Sequence, residues 1–328
     1  MPPRIFSGIQ PTGELHLGNF FGAVGNWIRL QSEMPCVYCV VDYHAITVEH
    51  EPAQLRANAL RMAGDLLACG IDPAKAILFI QSDVPEHTEL AWVLSAVASF
   101  GDLSRMTQFK EKGERQSFIS AGLFTYPVLQ AADILAYKAD RVPVGDDQSQ
   151  HLELTRDVAQ RFNALYGDTF VMPATKLPTV GARIMGLDDP TKKMSKSTEG
   201  PGHAISLLDP PSVIKKKIMR ATTDSQPCVD FHHVGPGVEN LLTIHQAFTG
   251  WTEDQVKSHF AGMRYGDLKK QVAEAVVAGL EPLQTRYAEI MADPGYLHGV
   301  LRESADRVAP IAEATVRLVK ERMGIYVG

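Results

Sequence analysis

The feature that most constrains this chain is a change of rhythm along its length. In the first half, short apolar β-like runs at 4–8, 35–41, 76–82 and 141–144 alternate with longer stretches of helical periodicity at 20–30, 53–68, 127–138 and 148–166. Apolar residues three and four apart line one face of a helix, whereas short β-branched runs bounded by turn residues read as strands. Strands separated by helix-length crossovers pair in parallel, so this half is expected to be a parallel α/β sheet. From Leu207 onward the β-rich runs stop, and helical patterns fill 211–220, 238–248, 252–262, 268–291 and 296–323. The stretch Thr198-Glu-Gly-Pro-Gly202 is the break between the two regimes.

Bulk properties narrow the function classes. With 328 residues, 45% hydrophobic and 21% charged, the chain has room for one large domain and a smaller one. No stretch reaches the roughly 18 uninterrupted apolar residues of a membrane span, and the amino terminus carries no apolar leader, so the cytoplasm is the expected compartment. Four cysteines are too few for a disulfide scaffold. Cys36 and Cys39 sit three apart in a strand-like run, where their side chains point to opposite faces and cannot share one ion. A net charge of −6 confines any nucleic-acid contact to local patches such as Lys215-Lys-Lys217 with Arg220, and Lys269-Lys270. Each cluster reads equally well as a solvated helix face.

The chemistry begins directly after the first strand. Gly8-Ile-Gln-Pro-Thr-Gly13 leads to His16-Leu-Gly-Asn19, which opens a helix. A strand, a glycine-rich turn and a helix N-terminus form a phosphate cradle, because backbone N–H groups and the helix dipole face an anion. Far downstream stands Lys192-Lys-Met-Ser-Lys-Ser197, whose Lys193 and Lys196 would meet phosphates while the nearby glycines let the loop close. Tyr126, Gln130, Asp133 and Tyr137 recur at helical spacing, with Pro127 in the favoured first helical position. An acid among alanines and isoleucine needs a strong hydrogen bond, which an indole N–H could donate, as could a backbone or arginine partner. Asp146 and Asp147 follow the fourth strand at the carboxyl edge of the sheet. There Asp147 with Gln150 suits a helix capping box, and Asp147 with the Gly145 backbone suits ribose hydroxyls.

The paired His-Leu-Gly-Asn and Lys-Met-Ser-Lys-Ser motifs resemble those of the class I aminoacyl-tRNA synthetases. The runs Phe6-Ser-Gly-Ile-Gln-Pro-Thr-Gly13, Val41-Asp-Tyr-His-Ala-Ile-Thr47, Met106-Thr-Gln-Phe-Lys-Glu-Lys112, Thr125-Tyr-Pro, Ala131-Ala-Asp-Ile-Leu135, Val142-Pro-Val-Gly and Gly181-Ala-Arg-Ile-Met185 are similar in order and spacing to the bacterial tryptophanyl-tRNA synthetases, along nearly the whole chain. That resemblance implies a Rossmann-like catalytic domain at 1–187, completed by a returning helix at 293–328. A helical anticodon-binding domain would occupy 188–292, with the lysine loop at its start.

The same resemblance implies that Gln10, Pro11, Thr12, Gly18, Asn19, Gly145, Asp146, Asp147, Ile184, Lys193, Met194, Ser195, Lys196 and Ser197 hold ATP. His16, Lys112, Lys193 and Lys196 would serve catalysis. Asp133 would take the indole N–H of L-tryptophan, in a pocket lined by Phe6, Gly8, Gln10, His44, Tyr126, Gln130, Val142, Val144 and Gln148. Gln130 stands where many bacterial relatives carry methionine. Magnesium would arrive with ATP, held mainly by its phosphates rather than by a protein metal site, and the partners implied are tRNA(Trp) and a second subunit. The residues alone leave open a tyrosyl-tRNA synthetase, a nucleotidylyltransferase and a non-catalytic paralogue.

Overall fold

The protein, represented by a computed structural model, is described over residues 4–107, 119–143, 148–176, 182–195 and 202–327. Five strands, β1 (Ile5–Ile9), β2 (Cys36–Val40), β3 (Ala76–Ile80), β4 (Arg141–Val142) and β5 (Ala174–Thr175), form one sheet in the order β3-β2-β1-β4-β5. Every described pair is parallel, with Ile5 beside both Cys36 and Arg141. The chain first builds outward from β1 to β3, then returns to add β4 on the other side of β1. The strand order thus reverses at β1, and open α/β sheets bind ligands beyond the carboxyl ends of the strands at such a point.

The helices of the first half are α1 (Leu17–Asn19), which continues through a π-helical turn (Phe20–Val24) into α2 (Gly25–Leu30), then α3 (Asp42–Ala45), α4 (Pro52–Cys69), α5 (Glu86–Ser95), α6 (Phe100–Ser104), α7 (Ala121–Leu135) and α8 (Ser149–Tyr166). The second half contributes α9 (Pro211–Arg220), α10 (Pro236–Thr249), α11 (Glu253–Phe260), α12 (Tyr265–Ala292) and α13 (Pro294–Met323).

Side-chain alternation along the strands divides the interior in two. Cys36, Tyr38 and Val40 enter one core while Val37 and Cys39 enter the other, as a period of two requires. The two thiols thus lie on opposite faces of the sheet, and burial pushes the pKa of each upward. The first core runs from α2 and α4 through Ile184 and Leu207 into α9, α10 and α12. The second is closed by α5, α7 and α8. Helix α13 joins both, placing Leu297 and Leu301 in the first and Val308, Ala312 and Val316 in the second. It crosses the open edge at β3, where the Ser304 hydroxyl accepts the Leu78 N–H at 3.4 Å. That contact covers a donor that an edge strand would otherwise present to any passing chain.

Three elements differ from expectation. Helix α7 starts at Ala121 rather than at Pro127, because Ser120 caps it by accepting the Leu123 N–H at 3.1 Å. Proline then sits inside the helix at the cost of one intrahelical bond. Strand β4 ends at Val142, and Val144 lies outside the described residues. Strand β5 has no counterpart in the sequence reading, being two exposed residues long with no apolar run.

The first turn of α10 is pressed onto the backbone at Thr222, and a Cβ at Gly237 would overlap the Thr222 carbonyl oxygen. Backbone cannot swing away, so Gly237→Ala should destabilise by about 1–3 kcal/mol. A Cβ at Gly299 in α13 would instead enter open space, so Gly299→Ala should stabilise by about 0.5–1 kcal/mol through helix propensity alone. Urea unfolding of the two variants beside the parent checks the contrast, which fails if both shift the midpoint in the same direction.

Candidate active site

The first motif is built by a turn and a reciprocal cap. After β1 the chain passes Gln10, Pro11 and Thr12, turns at Gly13 with φ +64, and enters α1 at His16. His16 Nδ1 accepts the Asn19 N–H at 3.3 Å, and the Asn19 side-chain oxygen accepts the His16 N–H at 3.2 Å. A neutral imidazole that accepts at Nδ1 carries its proton at Nε2, so the ring is set as a donor there. Gly18 is required by the same arrangement, since a Cβ would stand 3.0 Å from the His16 ring and 3.3 Å from Met194 Cβ.

Met194 belongs to the lysine motif, so two segments far apart in the chain meet at Gly18. Met194 is buried in the first core with its N–H donated to the Ile184 carbonyl at 3.1 Å. Lys193, exposed, pairs through its backbone with Met185, and both main-chain groups of Met185 are bonded by the Asn240 amide of α10 at 2.9 and 3.0 Å. Beyond the loop, His16 pairs with Ser206, and Leu17 N–H reaches the Ile205 carbonyl at 3.1 Å. His203, buried, bridges the Asp188 carboxylate at 2.5 Å and the Lys193 carbonyl at 3.3 Å, in space that exists only because Gly186 has no Cβ. Asn240, His203 and Gly186 carry no sequence signal of their own. Ser195 is half-buried beside this assembly, while Lys196 and Ser197 lie outside the described residues.

The amino-acid pocket expected around Asp133 is floored by a carboxylate that is 1% exposed. Oδ2 accepts from His44 Nε2 of α3 at 2.8 Å. Oδ1 accepts from Gln81 Nε2, beyond the end of β3, and from His87 Nδ1 of α5, both at 2.6 Å. Gln81 also accepts the Tyr43 N–H at 3.1 Å, and Tyr137 bonds His87 Nε2 at 2.5 Å. Burial pushes the Asp133 carboxyl upward, but the charge of His44 and the hydrogen bonds from His44 and His87 outweigh it and hold it at about 2. The partner is therefore neither backbone nor arginine. Sequence reasoning misses Gln81 and His87, although both follow β3 at the carboxyl edge of the sheet, as His16 follows β1.

Several of the expected wall residues have contacts of their own in this half of the chain. Phe6 stacks on Tyr137 at 5.6 Å, His44 meets Tyr126 edge-on at 6.2 Å, and the Tyr126 hydroxyl bonds His151 at 2.7 Å. Gly8 is exposed on its strand yet close against Val41, whose Cγ1 would lie 2.8 Å from a Cβ. Val142 is buried in the second core. The Gln130 amide donates to Gln148 at 3.3 Å, which ties α7 to the cap of α8. Asp147, the partner of Gln150 in the expected capping box, lies outside the described residues; the Gln150 amide is engaged with Thr107 and the Arg105 carbonyl. Lys112, Gly145, Asp146 and Asp147 lie outside the described residues.

The basic clusters are partly structural. Lys217 donates to Asp209 at 2.6 Å and to the Ala204 carbonyl at 2.8 Å. Lys269 caps α9 through the carbonyls of Ala221 at 2.7 Å and Met219 at 3.4 Å, and burial lowers its pKa. Lys270 pairs with Asp267 at 3.1 Å. Lys215, Lys216 and Arg220 are exposed.

Because the Asp133 carboxyl titrates below its ordinary value of 3.8, its contribution to stability is complete above about pH 4 and is lost as the pH falls toward 2. The loss should be on the order of 2 kcal/mol. Denaturant unfolding across that window should show the slope in the parent and a flattened one in Asp133→Asn; equal slopes would contradict it.

Comparison with known proteins agrees with this geometry. The family model described as tRNA synthetases class I (W and Y) matches residues 1–281. The tryptophan–tRNA ligase of Wolinella succinogenes is 55% identical over 98% of each chain. Among solved structures, the tryptophanyl-tRNA synthetase of Mycoplasma pneumoniae superposes with a TM-score of 0.88 at 38% identity, covering 99% of each chain. That of Campylobacter jejuni, complexed with ADP and tryptophan, gives 0.89 at 33% identity over 98% of this chain and 100% of that one. The parallel sheet, the joined His16 and lysine motifs, and full-length relatives at this identity establish that the chain belongs to the class I tRNA synthetases of the tryptophan and tyrosine family, with the tryptophan–tRNA ligases.

Proposed function

We propose that the chain activates L-tryptophan with ATP, giving tryptophanyl-adenylate and pyrophosphate, and then transfers the tryptophanyl group to the 3′ end of tRNA(Trp). The observation that carries this reading is Asp133, an ionised carboxylate held at the floor of the pocket by three donors. A carboxylate has about four acceptor positions, and an indole N–H can only donate. Phe6, Gly8, Gln10, His44, Tyr126, Gln130, Val142, Val144 and Gln148 surround the ring and the amino-acid backbone.

In the first step the tryptophan carboxylate attacks the α-phosphorus of ATP in line, and pyrophosphate leaves. The nucleophile is already an anion, so no general base is needed, and catalysis is positioning plus stabilisation of charge. His16, with Nδ1 committed to Asn19, meets the phosphates through Nε2–H. Gln10, Pro11, Thr12, Gly18 and Asn19 hold one side of the nucleotide, while Gly145, Asp146, Asp147 and Ile184 hold the other. Lys193 and Lys196, with Met194, Ser195 and Ser197 between and beside them, face the β- and γ-phosphates, and Lys112 adds a further contact. Magnesium, carried by the phosphates, neutralises part of their charge when bound. In the second step a hydroxyl of the terminal adenosine takes the acyl group.

We place the catalytic domain at 1–187 with the helix at 293–328, and the anticodon-binding domain at 188–292. Trp92 and Phe100, 80% and 76% exposed on α5 and α6, favour a homodimer that covers them. No helix among the described residues is long and apolar enough to cross a membrane, and the cytoplasm is the compartment where such an enzyme meets its tRNA.

Amino-acid-dependent ATP–pyrophosphate exchange across all twenty amino acids tests the assignment. Tryptophan should drive it, with phenylalanine weaker by about 10⁴ or more because it leaves the buried acceptor unpaired. Faster exchange with tyrosine would overturn the reading. Lys196→Ala should lower kcat and kcat/KM for activation together by about 10²–10³ while tryptophan KM holds. Transfer from pre-formed tryptophanyl-adenylate should stay near the parent rate, since pyrophosphate has already left. Equal losses in single-turnover activation and transfer would remove the leaving-group role.

A further inference from the structure

We infer that Tyr137 and His87 act as a tautomer lock on Asp133, leaving its Oδ2 as the oxygen that reads the substrate N–H and thereby setting the selectivity for an indole. The inference rests on the proposed reading of Asp133 as the indole acceptor and assigns two positioning residues to it.

The hydrogen bonds outward from the carboxylate fix the protons one after another. Ionised Asp133 can only accept, so His87 must carry a proton on Nδ1 to bond Oδ1 at 2.6 Å. In the neutral ring Nε2 is then a lone pair, and its neighbour at 2.5 Å is the Tyr137 hydroxyl. A phenol held protonated by burial, with Cys39 and Asp133 adding to the effect, supplies the matching O–H. Both rings are fully buried and leave no room for water to substitute: Phe79 packs on each, at 5.8 and 5.9 Å, and Phe6 stacks on Tyr137. With Gln81 also donating to Oδ1, that oxygen has two donors, while among the described residues Oδ2 has His44 alone. The acceptor position left for a ligand is therefore on Oδ2, beside the His44 ring. Without the Tyr137 hydroxyl the His87 Nε2 lone pair is left unmatched in a dry site, the Nδ1–H bond to Oδ1 weakens, and the carboxylate, still tied by Gln81 and His44, presents Oδ2 to the substrate in a less fixed orientation.

The probe is tryptophan against β-(1-benzothiophen-3-yl)alanine, which keeps the bicyclic shape and replaces N–H with sulfur. In pyrophosphate exchange the parent should prefer tryptophan by about 10³ or more in kcat/KM. Tyr137→Phe, which removes one oxygen from a packed ring, should cut that preference by about tenfold, with the loss confined to tryptophan and the analogue nearly unchanged. His87→Asn presents an amide N–H near the position of Nδ1 and has no tautomer to fix. On that background Tyr137→Phe should no longer change the preference, a non-additivity that loss of packing does not produce. Equal losses for both substrates, or an unchanged preference, would overturn the lock while leaving Asp133 as reader. A parent that does not discriminate would remove Asp133 as the N–H reader and the lock with it. Independently of any variant, nitrogen NMR of imidazole-labelled parent should find His87 protonated at Nδ1 and unprotonated at Nε2; the opposite tautomer would overturn the inference outright.

Discussion

An ion buried in a protein core is costly unless the surrounding groups replace the hydration it loses. Asp133 meets that condition with donors from three separate places, α3, the segment after β3, and α5, while its own backbone lies in α7. The carboxylate therefore has an architectural role. It fixes the spacing of four elements around one point at the carboxyl edge of the sheet, and Gln81 extends the tie to the start of α3. Removing it would leave three buried donors without an acceptor, each costing about 1–3 kcal/mol.

The first motif depends on a different kind of closure. The turn after β1 is met by a segment far downstream in the chain. Met194 anchors the lysine loop in the first core, Gly18 lets it approach His16, and the pairing of residues 15–17 with 205–207 holds both ends together. Asn240 then fastens the hairpin at Met185 to α10. These bonds join the two halves of the chain around His16 and Met194.

Charge also divides between structure and surface. Two lysines that look like RNA contacts in the sequence, Lys217 and Lys269, terminate on a carboxylate and on helix carbonyls instead. They stabilise the joint around α9, whereas Lys215, Lys216 and Arg220 are exposed. An overall negative charge is compatible with this arrangement, because only a local surface has to be basic.

What the sequence determined by itself was everything governed by local periodicity or by short motifs. The parallel sheet, the opposite-facing Cys36 and Cys39, the helical second half, the turn at Gly8 to Gly13 and the place of Asp133 on α7 all follow from spacing, turn chemistry and composition. Tertiary structure alone decided the rest. Helix α7 begins at Ala121 because the Ser120 cap outweighs one missing proline bond; β5 exists because β4 offers it an edge; and Lys217 is half-buried because it donates to Asp209. The same holds for His87, Gln81, His203 and Asn240, whose roles arise from partners 46, 52, 15 and 55 positions away. A hydrogen bond has a direction and a distance but no sequence period, so such partners become legible only when the folded chain brings donor and acceptor together.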